Sequence, residues 1–379
     1  MPFQIPKTEI PSGARQALQL PAQDLGSLSR AAIDLGAAQP PMDSASSETV
    51  AAQIERPWRE ILKRSIRDGG RLRQIFGLPS VDPEAERAAE ESFSTLVPEP
   101  FLARIHPDNP ADPILRQVLP QSEEVVAAEG FGPDPLEERI AEKALPILRK
   151  YHGRCLVLAT PRCAVHCRFC FRREQQFEGA LGHQHIEQAV LREIAEDRSL
   201  SEVILSGGDP LVLPDQVLAR FVFGLAKIAH VRRLRIHTRI PIVLPQRITD
   251  ELVLLLRGTR LVPWIVLHVN HAQEIDPEVE KAVARLVDSG VPLLSQTVLL
   301  RGINDRAEDL AELFERLVDL RVTPYYLHQL DCVSGTAHYW VPIEEGRQIV
   351  NRLRERLPAY AVPRYVQEIP GESFKRILD

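Results

Sequence analysis

Hydrophobic and polar positions change rhythm along the chain. Over residues 1–50, short apolar stretches sit among Pro, Ala, Ser and Gln without settling on one period, which predicts a loosely ordered leader. Over 58–76 the apolar positions of WREILKRSIRDGGRLRQIF recur at helical spacing around Gly69 and Gly70. That spacing predicts two short amphipathic helices, and a third is expected over 83–94. The run FLARIHPDNPADPILRQVLP, starting at Phe101, is dense in Pro and Asp and reads as irregular chain with one helical turn. Residues 51–145 are therefore expected to form a helical region ahead of the main fold.

After Glu137, β-rich apolar runs alternate with helical patterns. Strands are expected over 154–159, 202–205, 234–237, 264–270, 293–299 and 323–327. Helices are expected over 185–196, 215–229, 249–256, 277–289 and 305–320, with a last one over 343–356. This alternation is the signature of a parallel α/β sheet. Six β-α units are too few for a full eight-unit barrel but enough for a partial one over 146–345, followed by a terminal segment over 346–379. An open doubly wound sheet is the alternative.

Composition narrows the class. The chain of 379 residues is 44% hydrophobic and 26% charged, enough for a sizeable core. Five cysteines, three of them crowded at Cys163, Cys167 and Cys170, make no disulfide framework and point to a reduced, cytoplasmic setting. The first residues lack a basic start followed by an apolar run. No run of about eighteen uncharged apolar residues occurs either, so neither export nor a membrane span is expected. A formal charge of −6 gives no general attraction to nucleic acid or anionic lipid. The expected partner is a small molecule or another protein.

Each expected strand is followed at once by residues with chemical capacity: TPRCAVHCRFCFRR, SGGDP, HTR, HVNH, LRGIND and HQLD. Ligands of parallel α/β proteins bind at the carboxyl ends of the strands, so these clusters share one face. Cys163, Cys167 and Cys170, spaced C-x3-C-x2-C, offer three thiolates from one short loop. Three thiolates can hold three irons of a cubic cluster and leave the fourth iron open. A structural zinc site is the alternative; it wants a fourth ligand, and only His166 or Cys155 stands near.

The triplet followed by Phe171, Arg172 and Arg173, then SGGDP after the next strand, resembles the radical S-adenosylmethionine (SAM) enzymes. Within them it resembles the lysine 2,3-aminomutases. The resemblance runs from about Trp58 to Leu378, taking in FLARIHPDNPADPILRQVLP, KYHGRCLVLATPRCAVHCRFCFRR, LSGGDPL, HTRIPIVLPQRIT, HVNH, QTVLLRGIND and PYYLHQLD. It implies an α/β fold: a partial (β/α)6 TIM-like radical SAM barrel with an N-terminal helical region and a short C-terminal segment that binds pyridoxal phosphate (PLP). It implies a [4Fe–4S] cluster on Cys163, Cys167 and Cys170, whose open iron chelates S-adenosylmethionine. One-electron reduction then splits the sulfonium to a 5′-deoxyadenosyl radical.

The same resemblance gives roles to other residues. Gly207 and Gly208 let backbone approach the cofactor, and Asp209 places an anion beside its ammonium. His268 and Gln296 match positions that hydrogen-bond it, the plain alternative being satisfied core polar residues. Lys375, one of seven lysines, matches the lysine that forms a Schiff base with PLP; on position alone it would be a solvated tail residue. Tyr151 and Arg154 match residues that bind the PLP phosphate group, for which Lys150 could serve instead. Arg172 matches the arginine that pairs with the substrate carboxylate. Asp331 and Glu368 match the two acids that clamp its distal ammonium, where relatives often have Asp in place of Glu368. The alternative for either acid is a surface salt bridge.

Longer relatives carry an added cysteine-rich segment, and a cysteine just after the QTVLLRGIND motif, that together bind zinc between subunits. Here the sequence ends at Asp379 and Arg306 follows Asp305, so no zinc and a different or weaker oligomer are expected, with a homodimer compatible. The shorter form resembles the subgroup that makes β-lysine for attachment to translation elongation factor P by a lysyl-transferase-like ligase. The implied reaction is conversion of L-α-lysine to (R)-β-lysine, supplied with electrons by a cellular one-electron reductant. Alternatives are a free-standing aminomutase making β-lysine or another β-amino acid for solute or antibiotic synthesis, and a non-catalytic iron–sulfur redox protein.

Overall fold

The computed structural model describes residues 56–107, 109–175 and 181–379; the leader expected over 1–50 lies outside them. Among the described residues, four helices precede the sheet: α1 (Arg56–Lys63), α2 (Gly69–Ile75), α3 (Pro83–Ser92) and the single turn α4 (Glu99–Leu102). Gly69 and Gly70 do not interrupt a helix. They form the first turn of α2, which Asp68 caps by accepting from the Arg71 amide at 2.6 Å.

The sheet follows. Its strands are β1 (Ile147–Leu148), β2 (Arg154–Thr160), β3 (Glu202–Gly207), β4 (Arg233–Thr238), β5 (Val262–His268), β6 (Leu293–Val298), β7 (Thr323–His328), β8 (Arg364–Gln367) and β9 (Arg376–Ile377). The helices between them are α5 (Gln184–Glu196), α6 (Asp215–Ala226), the short α7 (Ile240–Val243), α8 (Asp250–Arg257), α9 (Pro277–Asp288), α10 (Ala307–Asp319) and α11 (Ile343–Arg356).

Strand order in space is strand order in the chain, from β1 to β9. A doubly wound sheet reverses at a switch point, and this one does not, so the chain winds one way as a partial barrel. β2 to β8 are all parallel. β1 and β9 border them as antiparallel edges. The six expected strands stand where the sequence puts them. β8 is a seventh parallel strand that closes the sixth unit; its four residues RYVQ, right after Pro363, are too short for alternation to announce.

Local chemistry fixes the elements. In α9, Asp276 caps by accepting from the Val279 amide at 2.9 Å, Pro277 starts the helix, and Val279, Ala282, Val283 and Leu286 form its buried stripe. In β4, Leu234, Ile236 and Thr238 are buried, whereas Arg233, Arg235 and His237 alternate to the other face and stay partly accessible. Among the described residues no helix is long and apolar enough to cross a membrane.

The helical region bears directly on the cysteine loop. Arg168, between Cys167 and Cys170, is fully buried; it donates to Glu124 at 2.9 and 2.6 Å and to the Ala89 carbonyl of α3 at 3.0 Å. Arg173 reaches the same Glu124 carboxylate at 2.7 Å. His166 and Arg168 also bond through their amides to the carbonyls of Leu96 and Gln117, each at 2.9 Å. Two buried cations sharing one buried carboxylate are stable only while all three stay together.

Candidate active site

The chain places the cysteine loop, Gly207, Gly208, Asp209, His268, Asp331 and Glu368 at the carboxyl ends of their strands, and Lys150, Tyr151 and Arg154 at the amino end of β2. Cys163, Cys167 and Cys170 lie in the loop after β2, partly buried and free of disulfides. Burial pushes all three thiols above their ordinary range, Cys170 to about 11. They therefore hold their protons until a metal displaces them. No three His, Cys, Asp or Glu side chains among the described residues converge on a single ion position. Three free thiols offered by one short loop are the donor set that a four-iron cluster takes.

The exit of β3 is stitched to this loop. The Gly208 amide donates to the Thr160 carbonyl at 2.6 Å and the Asp209 amide to the Arg162 carbonyl at 2.8 Å. A Cβ on Gly208 would stand 2.1 Å from the Arg162 oxygen, and Gly207 sits at φ +114° with the Thr160 carbonyl 2.7 Å from where its Cβ would be. Only glycine fits either position. Asp209 is buried, and its carboxylate accepts from Thr238 Oγ1 at 2.7 Å and from the amides of Leu211 (3.0 Å), Arg239 (2.7 Å) and Ile240 (3.2 Å). Those four donors make it a brace between β3 and β4.

His268 ends β5, edge-on to Phe169 of the cysteine loop with ring centroids 5.6 Å apart. Its Nε2 is buried without a hydrogen-bond partner. Burial drives its pKa down to about 3, so it is a neutral imidazole facing the loop. Gln296 on β6 is its direct neighbour in register.

Arg172 takes Glu138 in a two-point bond, Nε and Nη2 each 2.8 Å from the carboxylate oxygens. Its Nη1 has only a long contact, 3.4 Å, to Ser206 Oγ. Asp331, after β7, has a carboxyl raised to about 7, chiefly by burial and partly relieved by the Lys375 charge. It also lies within electrostatic reach of Arg172.

The remaining residues gather on Glu368, just after β8. It forms ion pairs with Lys375 and Lys150 and accepts from the Tyr151 hydroxyl at 2.5 Å. Burial alone would raise its carboxyl, but Lys375 and these hydrogen bonds bring it down to about 2. Lys375 Nζ hangs about equally over the rings of Tyr151 (6.0 Å) and Tyr326 (5.9 Å), and Arg154 stacks on Tyr151 at 4.7 Å. Deeper in the barrel, Arg235 Nε and His237 Nε2 are buried without partners. An amine, aromatic walls and unpartnered donors suit an anionic, planar coenzyme.

The structure thus gathers Lys375, Glu368, Tyr151, Lys150, Arg154 and Asp331 at one end of the site, with the cysteines, Gly207, Gly208 and His268 at the other. Sequence reasoning gave no role to Glu138, Glu124, His237 or Arg239. Arg239 was within reach, since HTR follows its strand like the other clusters; Glu138 lies in irregular chain and Glu124 in a single 3-10 turn, with no period to flag either.

Thiols in the loop after β2, the first parallel strand of a one-way partial barrel, define a radical SAM enzyme, and the Radical SAM superfamily model matches residues 157–315. The chain is 44% identical over 323 residues to the L-lysine 2,3-aminomutase of Haemophilus influenzae, covering 85% of this chain and 96% of that one. It is 44% identical to that of Escherichia coli, with 81% and 90% covered, and 35% identical to that of Clostridium subterminale, with 84% and 76% covered. The chain belongs to the lysine 2,3-aminomutase family, isomerases of the radical SAM superfamily. Membership implies a [4Fe–4S] cluster and S-adenosylmethionine.

Proposed function

We propose that the chain converts L-α-lysine to (R)-β-lysine with the help of PLP, and that the product modifies translation elongation factor P. The observation that carries this reading is the grouping of Arg172, Asp331, Glu368 and Lys375 within electrostatic reach of one another beside the cysteine loop. A free amino acid with a cationic tail needs that set: a fork for its carboxylate, acids for its distal ammonium, and an amine to carry the coenzyme.

When bound, S-adenosylmethionine on the cluster supplies a radical able to abstract hydrogen from the β-carbon, and PLP supplies the conjugated group through which nitrogen shifts. The chain's own part is capture and alignment. Arg172 keeps its Nη1 side for the substrate carboxylate while Glu138 holds the opposite edge. Lys375, which pairs with Glu368 in the free chain, would be the amine that holds the coenzyme, and Glu368 and Asp331 would supply the acids for the substrate's distal ammonium. Tyr151, Arg154 and Lys150 would bind the coenzyme's phosphate group. His268 and Gln296, with the backbone of Gly207 and Gly208, would hold S-adenosylmethionine, and Asp209 braces that backbone.

Anaerobic turnover with isotopically labelled lysine, S-adenosylmethionine and a reductant tests the reading. Labelled β-lysine of R configuration is the expected product; unchanged lysine over an intact cluster would overturn it. Adding elongation factor P and its ligase should then transfer the label to the factor.

A further inference from the structure

Arg239, at the end of β4, is almost fully buried and touches the cysteine loop directly: its Nη1 donates to the Cys167 sulfur at 2.7 Å. Its Nη2 donates to Glu274 Oε2 at 2.9 Å and to Gln117 Oε1 at 2.6 Å, and its amide is anchored on Asp209 at 2.7 Å. Glu274 is fully buried and fixed in turn by the amides of Asn270 and His271, each at 3.0 Å. The guanidinium lies beside the rings of Phe101 (5.1 Å) and Phe169 (5.7 Å), which keep water from it. This is a rigid cation with one nitrogen on a sulfur and another on a counter-anion.

We propose that Arg239 is a positioning residue that makes the cluster easier to reduce, by donating a hydrogen bond and presenting positive charge to the sulfur of Cys167. The inference rests on the reading that Cys163, Cys167 and Cys170 hold the cluster. Reduction adds one negative charge to the irons and sulfurs. A fixed N–H donor and a desolvated cation stabilise that charge far more than water-exposed ones would, and hydrogen bonds to the sulfurs are a main control of cluster potential. Glu274 works against Arg239, from a second nitrogen and so from further off. The pair therefore sets the potential between two limits, and each partner can be neutralised separately.

The test is a redox titration of the reconstituted, oxygen-free holoenzyme, with reduced cluster read by electron paramagnetic resonance and iron counted per chain. Arg239→Gln should lower the reduced-to-oxidised ratio at fixed potential about tenfold, a fall of about 59 mV for one electron. Glu274→Gln, which leaves the arginine charge uncompensated, should raise the ratio. Arg239→Lys, keeping charge but losing the fork, should fall between wild type and Arg239→Gln. Should Arg239→Gln fail to assemble the cluster, Glu274→Gln and Arg239→Lys decide by the sign of their shifts. A packing defect would lower iron content or move both positions the same way, and either same-sign shifts or unchanged potentials at full iron content would overturn the inference. A wild-type chain that assembles no cluster would instead overturn the cysteine assignment, and this inference with it.

Discussion

Tyr151 and Glu368 join the two ends of the run of parallel strands: the phenol just before β2 donates to the carboxylate just after β8 at 2.5 Å. Strand order leaves β2 and β8 unpaired with each other, so this bond and the ion pairs of Lys150 and Lys375 on Glu368 span the gap with side chains alone. The same contact holds the carboxylate that the substrate ammonium is expected to meet.

Tyr151→Phe removes one donor from Glu368, whose carboxyl is depressed to about 2. Such a group contributes stability at pH above its ordinary value that is lost as pH falls through about 2. The variant should lose about 1 kcal/mol at pH 7, and the difference from wild type should shrink as pH falls to about 2. Urea unfolding at the two pH values measures it.

Asp331 carries the opposite shift, up to about 7. Its contribution to stability is complete below pH 4 and lost as pH rises through 7. Asp331→Asn should therefore stabilise the free chain at pH 8, by at most roughly 4 kcal/mol, and change nothing at pH 4. Lysine use should fall in wild type as pH drops below 7, because the ammonium needs an ionised partner. The variant should lose that pH limb and most lysine use while its iron content stays at the wild-type level. Equal loss of both would point to misfolding.

Lys375→Ala should abolish the borohydride-reducible absorption band of the PLP-loaded protein, and leave the iron–sulfur spectrum intact. Persistence of the band would assign the coenzyme to another amine, and Lys150, on the same carboxylate, would be the first to examine.

Gly208→Ala forces a methyl carbon to within 2.1 Å of the Arg162 carbonyl. Backbone cannot yield there without moving the loop that presents Cys163. The expected loss is at least about 2 kcal/mol of stability together with iron content, measured by thermal unfolding and iron analysis. Full iron loading at wild-type stability would show that the loop can shift freely.

Much of this was legible in the sequence because its signals are local. Six strands showed as apolar runs bounded by helical periods, and the thiols, Gly207 and Gly208 stood out by spacing. β8 and β9 stayed hidden because short strands on the rim show no alternation. Glu368 and Lys375 could be picked only by resemblance, since their partners Lys150 and Tyr151 lie more than two hundred residues earlier. The role of Arg168 and Arg173 was hidden for the same reason: nothing in CRFCFRR shows that two of its arginines turn inward to a distant glutamate.

That glutamate has a consequence for how the cysteine loop is held. Glu124 belongs to the helical region, while Arg168 and Arg173 belong to the loop bearing the thiols. A fragment reduced to the barrel would keep every cysteine yet strand two guanidinium groups in an apolar shell, and they would pull the loop outward toward water. The form of the thiol-bearing loop therefore depends on the helical region being docked, through side chains that stand outside the cysteine triplet.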